Sequence, residues 1–124
     1  VIGDGIMPEH RLDLDSYAKR FNLSTEDISN FINYSLAEIT FRILKEKPEF
    51  KGLYTSGGDI TVAISKRFQA SGIRLMDEVV PLASFGEIIG GEYHGLNIVT
   101  KGGMAGDKFA LIKCINYLKE KLFI

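Results

Sequence analysis

The sequence predicts an α/β domain, a layered α/β/α arrangement with a mixed, largely parallel sheet and glycine-rich strand-to-helix corners. Three observations predict it. Helical apolar patterns at 28–44, 60–68 and 111–122 are interleaved with short strand patterns at 53–56, 73–80, 84–89 and 96–100. The last strand pattern, Leu96-Asn97-Ile98-Val99-Thr100, is nearly all apolar, as expected of a strand covered on both faces. Two strand patterns run into glycine-dense turns that open helices, Gly57-Gly58-Asp59 and Lys101-Gly102-Gly103-Met104-Ala105-Gly106-Asp107. Ligands of such sheets bind beyond the carboxyl ends of the strands, where both corners would lie.

The 124 residues give room for one domain, 1–124, with a core. A net charge of −1 leaves no basic excess to attract nucleic acid or an anionic membrane, so neither is expected as a partner. The single cysteine, Cys114, lies inside the last helical pattern, which excludes an intrachain disulfide or Cys-based metal site and predicts a buried structural thiol. No charged-then-apolar leader and no apolar run approaching about 18 residues is present, so a cytoplasmic location is expected. A first residue Val1, followed by Ile2-Gly3, suggests a fragment or a trimmed chain.

In chain order, Val1 to Pro8 reads as a loop or strand tail, and Asp13 to Phe21 as a short amphipathic helix that packs through Tyr17, Ala18 and Phe21. Ser24-Thr25-Glu26-Asp27 has the form of a capping box and predicts a long helix. Its core stripe is expected to be Ile28, Phe31, Ile32, Leu36, Ile39, Ile43 and Leu44, with Pro48 ending the pattern after Lys45 and Lys47. The run Leu53 to Ser56 favours a strand that stops at Gly57. A helix follows, capped by Asp59 or Thr61, buried through Ile60, Ala63, Ile64 and Phe68, and terminated by Gly72. Ile73 to Val80 reads as a strand before Pro81, and Ser84 to Ile89 as another, with turns at Gly90-Gly91 and His94-Gly95. The final helix, Lys108 to Leu122, is expected to turn Leu111, Ile112, Ile115, Leu118 and Leu122 inward.

Chemistry is expected at the glycine corners. Three glycines between Lys101 and Asp107 allow main-chain N–H groups to approach a ligand, and a helix N-terminus favours an anion. Alone, that stretch is equally well a plain turn; a second corner of the same type shifts the balance toward a phosphate site. Lys101 supplies a point charge, and Gly103 and Gly106 a close backbone approach. Asp59 can orient a ribose hydroxyl or a metal-bound water or simply cap its helix, and Thr61 is similarly open. His10 and His94 lack triad or metal-cluster partners and read as surface or turn histidines, and no metal site is assigned. Asp77-Glu78 is either a solvated strand end or a ligand contact.

From about Leu53 to Leu118 the chain resembles the carboxy-terminal, nucleotide-binding domain of the four-carbon acid sugar kinases. Three stretches carry the resemblance: Thr55-Ser56-Gly57-Gly58-Asp59-Ile60-Thr61, Glu78-Val79-Val80-Pro81, and Val99-Thr100-Lys101-Gly102-Gly103-Met104-Ala105-Gly106-Asp107. Two departures stand out: Leu82 follows Pro81 where the family often has Gly, and Ile60 stands where it often has Thr. The resemblance implies ATP-dependent phosphorylation of a threonate or erythronate type of sugar acid, with Mg²⁺ accompanying ATP. It implies nucleotide contacts at Gly58, Asp59, Ile60, Thr61, Gly103 and Gly106, to which the reading of the corners adds Gly57, Lys101 and Gly102, and it identifies no catalytic residue. It also implies an amino-terminal domain that binds the sugar acid, so that this chain alone would catalyse little. Self-association, as a homodimer, would cover a surface left apolar without that domain. The alternative is a non-catalytic module of the same fold that binds a phosphorylated metabolite or supports assembly.

Overall fold

The computed structural model describes residues 2–3, 7–104 and 106–123. Val1 and Asp4 to Ile6 of the expected N-terminal loop, and Ala105 of the second glycine corner, lie outside the described residues. The order of elements is a 3-10 turn (Pro8–His10), α1 (Leu14–Phe21), α2 (Thr25–Glu46), β1 (Gly52–Ser56), α3 (Gly58–Arg67), β2 (Gly72–Val80), β3 (Ala83–Ile89), β4 (Asn97–Lys101) and α4 (Ala110–Leu122).

Local chemistry starts the helices where the sequence places them. Asp13 accepts from the Ser16 amide at the head of α1. At α2 the expected capping box forms, the Asp27 amide donating to Ser24 Oγ at 3.0 Å and the Ser24 amide to Asp27 Oδ2 at 3.4 Å. α3 has no side-chain cap: Gly57 holds the cap position at φ 111°, a left-handed backbone open to glycine, so the helix begins at Gly58. Asp59 and Thr61 therefore sit inside the first turn rather than capping it. At the other end α3 stops at Arg67, where Gln69 takes the left-handed conformation, and Gly72 opens β2 instead of ending the helix.

The sheet order is β1-β4-β3-β2. β1 and β4 pair in parallel, whereas β4–β3 and β3–β2 are antiparallel. The α/β class and the mixed sheet hold, but only one of three pairings is parallel, because β2, β3 and β4 follow one another as a meander with no helix between them. A turn of two residues, Pro81 and Leu82, joins β2 to β3, and only antiparallel strands can be joined so briefly.

Helices cover both faces. On one, Ala37, Phe41 and Leu44 of α2, Ala63 and Ile64 of α3 and Phe68 at its C-cap pack with Ile88 and Ile98. On the other, Cys114 and Leu118 of α4 pack with Ala83, Phe85 and Val99. Ile98 and Val99, neighbours on β4, enter opposite layers, which is why two adjacent positions of that strand are both apolar. Two expected stripes are corrected. On α2, Phe31, Ile39 and Ile43 are exposed, and the buried positions are Ile28, Ala37, Thr40, Phe41 and Leu44. On α4, Leu111 and Ile112 are exposed while Ala110, Cys114 and Leu118, spaced four apart, face the sheet. Both helices carry more apolar residues than one face can bury, so the sheet rather than the periodicity selects the face. On α1 only Ala18 is buried; Tyr17 and Phe21 stack on each other at the surface.

Candidate functional site

The parallel pairing places the two glycine corners side by side. Ser56 and Lys101, the last residues of β1 and β4, are register partners, and the chain leaves both strands at the same sheet edge. The Gly57 amide donates to the Lys101 carbonyl at 2.9 Å, extending the ladder one step past the strands. Ser56 Oγ donates to the Gly103 carbonyl at 3.3 Å, a second tie between the corners.

A third loop arrives at the same edge. The Pro81-Leu82 turn follows from the pairing of Ala83 with Lys101, and the Gly102 amide donates to the Leu82 carbonyl at 2.9 Å. Leu82 holds φ 64°, a left-handed conformation that suits glycine, with its side chain exposed. Leu82, where the resemblance leads one to expect Gly, therefore falls at a position whose backbone adopts a conformation that suits glycine.

At the first corner, the opening N–H groups of α3 have no acceptor one turn earlier on their own helix, and the helix dipole makes this end electropositive. Thr61 Oγ1 donates to the Gly57 carbonyl at 2.8 Å and lies 2.9 Å from Thr55 Oγ1. Asp59 is exposed, and Ile60 is half-buried against the α2–α3 core. At the second corner, Lys101 Nζ donates to the carbonyls of Gly102 and Gly103 at 2.9 and 2.6 Å, so its ammonium folds over its own loop. Asp107 Oδ1 accepts from the Phe109 amide at 2.8 Å, and the turn from Asp107 to Phe109 separates the glycines from α4, which begins at Ala110 rather than Lys108.

The glycines fall into two groups. Gly57 and Gly106 have positive φ, 111° and 88°, and a Cβ on Gly106 would stand 2.8 Å from the Ala110 Cβ, so the fold itself requires them. At Gly58 and Gly103 a Cβ would meet nothing within 4 Å and φ is ordinary. The fold makes no demand for glycine there, while a ligand approaching the backbone would. That open space, with the positive helix end and an ammonium beside it, is what a nucleotide phosphate needs.

Sequence reasoning brought Gly57 to Thr61 and Lys101 to Gly106 to one place, and it missed the sites of the hydroxyls. Ser56 and Thr55 tie this edge together; their signal was adjacency to the glycines, which does not reveal which strand residue points where. His94 is a turn residue, its Nδ1 accepting from the Gly90 amide at 2.8 Å. Asp77 is a solvated strand residue that accepts from the Tyr117 hydroxyl, a bond that holds its carboxyl below the usual range and pushes the phenol up to about 12. Among the described residues no group of three or more His, Cys, Asp or Glu side chains is placed to hold a metal, and no helix is long and apolar enough to cross a membrane. A concavity of about 630 Å³ bordered by Phe50, Tyr93, His94, Leu96 and Leu122 opens at the opposite end of β1 and β4.

A parallel strand pair delivering two glycine corners and a helix N-terminus to one edge is the ground plan of a nucleotide-binding domain, and residues 4–111 match the family described as the nucleotide-binding C-terminal domain. The chain belongs to that family, the C-terminal domain of the four-carbon acid sugar kinases. It is similar to a D-erythronate kinase of Heliobacterium modesticaldum, with 46% identity over 112 residues that cover 90% of this chain and 26% of that enzyme. It is also similar to a D-threonate kinase of Bordetella bronchiseptica, with 33% identity over 95% of this chain and 26% of the enzyme. The D-threonate kinase of Salmonella typhimurium shows 28% identity over 90% of this chain and, again, 26% of its own length. Among solved structures, a domain of unknown function from Bordetella bronchiseptica, crystallised with citrate as a domain-swapped dimer, aligns with a TM-score of 0.70 and 32% identity over 79% of this chain and 23% of that one. The chain thus spans about a quarter of the length of the curated relatives it matches.

Proposed function

We propose that this domain binds ATP with Mg²⁺ for a kinase that phosphorylates a four-carbon sugar acid of the erythronate or threonate type. The observation that carries the proposal is the pairing of Ser56 with Lys101, which sets the N-terminus of α3 beside the Lys101–Gly106 corner. Family membership and the names of the relatives, D-erythronate and D-threonate kinase, support the nucleotide and the acceptor class.

In this reading the amides of Gly58, Asp59 and Ile60 and the backbone at Gly102, Gly103 and Gly106 hold the phosphates, and Lys101 supplies charge. Asp59, exposed on the first turn of α3, is the carboxylate available to hold a water of the accompanying Mg²⁺, and Thr61 holds the corner in shape. ATP bound there supplies the phosphoryl group and Mg²⁺ neutralises its charge. In this reading these residues bind and orient the nucleotide, and no catalytic base is assigned among them. We assign acceptor binding to sequence outside this domain, in keeping with relatives of which it covers about a quarter. Phosphoryl transfer then depends on positioning by both parts.

The relative that crystallises as a domain-swapped dimer makes a homodimer the assembly to test, and exposed Phe21, Leu23, Phe31 and Tyr34 on and between α1 and α2 are the apolar surface available for it.

The test is Mg²⁺–ATP titrated into the complete gene product, read by calorimetry and by the melting temperature. A rise of several degrees at millimolar nucleotide and turnover on D-erythronate or D-threonate are expected. Binding of ATP without phosphorylation of any four-carbon acid would leave a regulatory module of this fold, and no binding at all would overturn the proposal.

A further inference from the structure

One buried polar side chain at this edge does no work for the strand that carries it. Thr55 is only 4% exposed on β1, where a valine of the same shape would serve the sheet equally well. Its hydroxyl lies 2.9 Å from Thr61 Oγ1, and Thr61 Oγ1 donates to the Gly57 carbonyl at 2.8 Å. A hydroxyl has a single hydrogen. Since that of Thr61 is committed to Gly57, the hydrogen between the two threonines belongs to Thr55, and the relay runs Thr55 O–H to Thr61 O–H to the Gly57 carbonyl.

The relay ends on the peptide that matters most to the corner. The Gly57 carbonyl also accepts from the Thr61 amide at 3.2 Å, so two donors from one residue hold it toward the helix. Across a trans peptide the next N–H points the opposite way, which aims the Gly58 amide out of the first turn, away from the body of the helix. Gly57 is itself in a glycine-only conformation, where neighbouring rotations are weakly restrained. Without the Thr61 hydroxyl, the orientation of the Gly57–Gly58 peptide rests on one 3.2 Å bond, and Thr55, by donating to Thr61 Oγ1, holds that hydroxyl on the Gly57 carbonyl.

We infer that Thr55 is a positioning residue for the nucleotide phosphates, acting through Thr61 to fix the direction of the Gly58 amide. The inference rests on the nucleotide reading above, and Thr55 itself touches no ligand.

The experiment measures Mg²⁺–ATP affinity by calorimetry on the complete gene product, for the wild type, Thr55→Val, Thr55→Ser, Thr61→Val and the double valine variant. A lost positioning hydrogen bond should weaken ATP by about five- to tenfold in Thr55→Val. Thr55→Ser should bind within about twofold of wild type, and the double variant no more weakly than Thr61→Val alone, because both changes cut one relay. KM for the sugar acid should stay unchanged while KM for ATP rises. If Thr55→Val does not fold, Thr61→Val against Thr55→Ser gives the same comparison. Wild-type affinity in Thr55→Val, or additive losses in the double variant, would overturn the inference and leave the nucleotide reading standing. Absence of ATP binding by the wild type would remove both.

Discussion

The amide of Gly57 donates to the carbonyl of Lys101 at 2.9 Å, so the last rung of the parallel ladder is made by the first residue of one glycine corner and the first residue of the other. Two turns separated by more than forty positions in sequence become one surface through that bond and the Ser56–Gly103 contact.

The two classes of glycine should separate folding from binding. Gly57→Ala and Gly106→Ala force a side chain into a left-handed backbone and are expected to lower stability by about 1–3 kcal/mol in urea denaturation. Gly58→Ala and Gly103→Ala enter open space, should change stability by no more than about 0.5 kcal/mol, and should abolish the shift in melting temperature produced by Mg²⁺–ATP. A full nucleotide shift in both of the latter variants would count against a phosphate at this corner.

Leu82 is strained for no packing return, being 71% exposed at φ 64°. Leu82→Gly should raise stability by about 0.5–1 kcal/mol, the relief of the left-handed penalty outweighing the entropy of the freer unfolded chain. The urea midpoint should move up with an unchanged slope.

Cys114 is fully buried between α4 and the sheet, and burial pushes its thiol above the usual range. The native protein should react with an aromatic disulfide reagent only at its rate of opening, and denaturation should release one reactive thiol. Cys114→Ser, which buries a hydroxyl where a thiol packed, should cost about 1–3 kcal/mol.

Glu38 on α2 lies between Arg67 of α3 and Arg42 of its own helix, the latter at 2.9 Å. Bonds from Arg67 first and Arg42 second lower its carboxyl to about 2. The folded value lies below the ordinary 4.5, so this contribution is present above pH 4.5 and is lost as pH falls toward 2. Acid titration of stability should show a decline across that window that is smaller in Glu38→Gln.

Much of the local structure was legible because it depends on neighbours in sequence. Ser24 and Asp27 cap α2 through groups three residues apart, and β1 stops at Gly57 as read, while β4 runs one residue further than expected, through Lys101. The apolar run at Ile98-Val99 announced a strand buried on both sides. The faces of α2 and α4 were not legible. Phe31 and Ile112 are as apolar and as helically spaced as Phe41 and Leu118, and only contact with the sheet distinguishes them. The expected cap at Asp59 or Thr61 was misplaced, since a glycine cap at Gly57 moves the helix start without a side-chain signal.

The sequence by itself determined the α/β class, the capped long helix, the buried thiol and the two glycine corners, since these follow from residue type and short-range spacing. The tertiary structure decided that β1 lies beside β4 rather than beside β2, which joins the two corners, and that β3 pairs with β4, which brings Leu82 to the same edge. Strand order is set by how two helical layers and one sheet share their apolar area, a long-range balance that no stretch of sequence records.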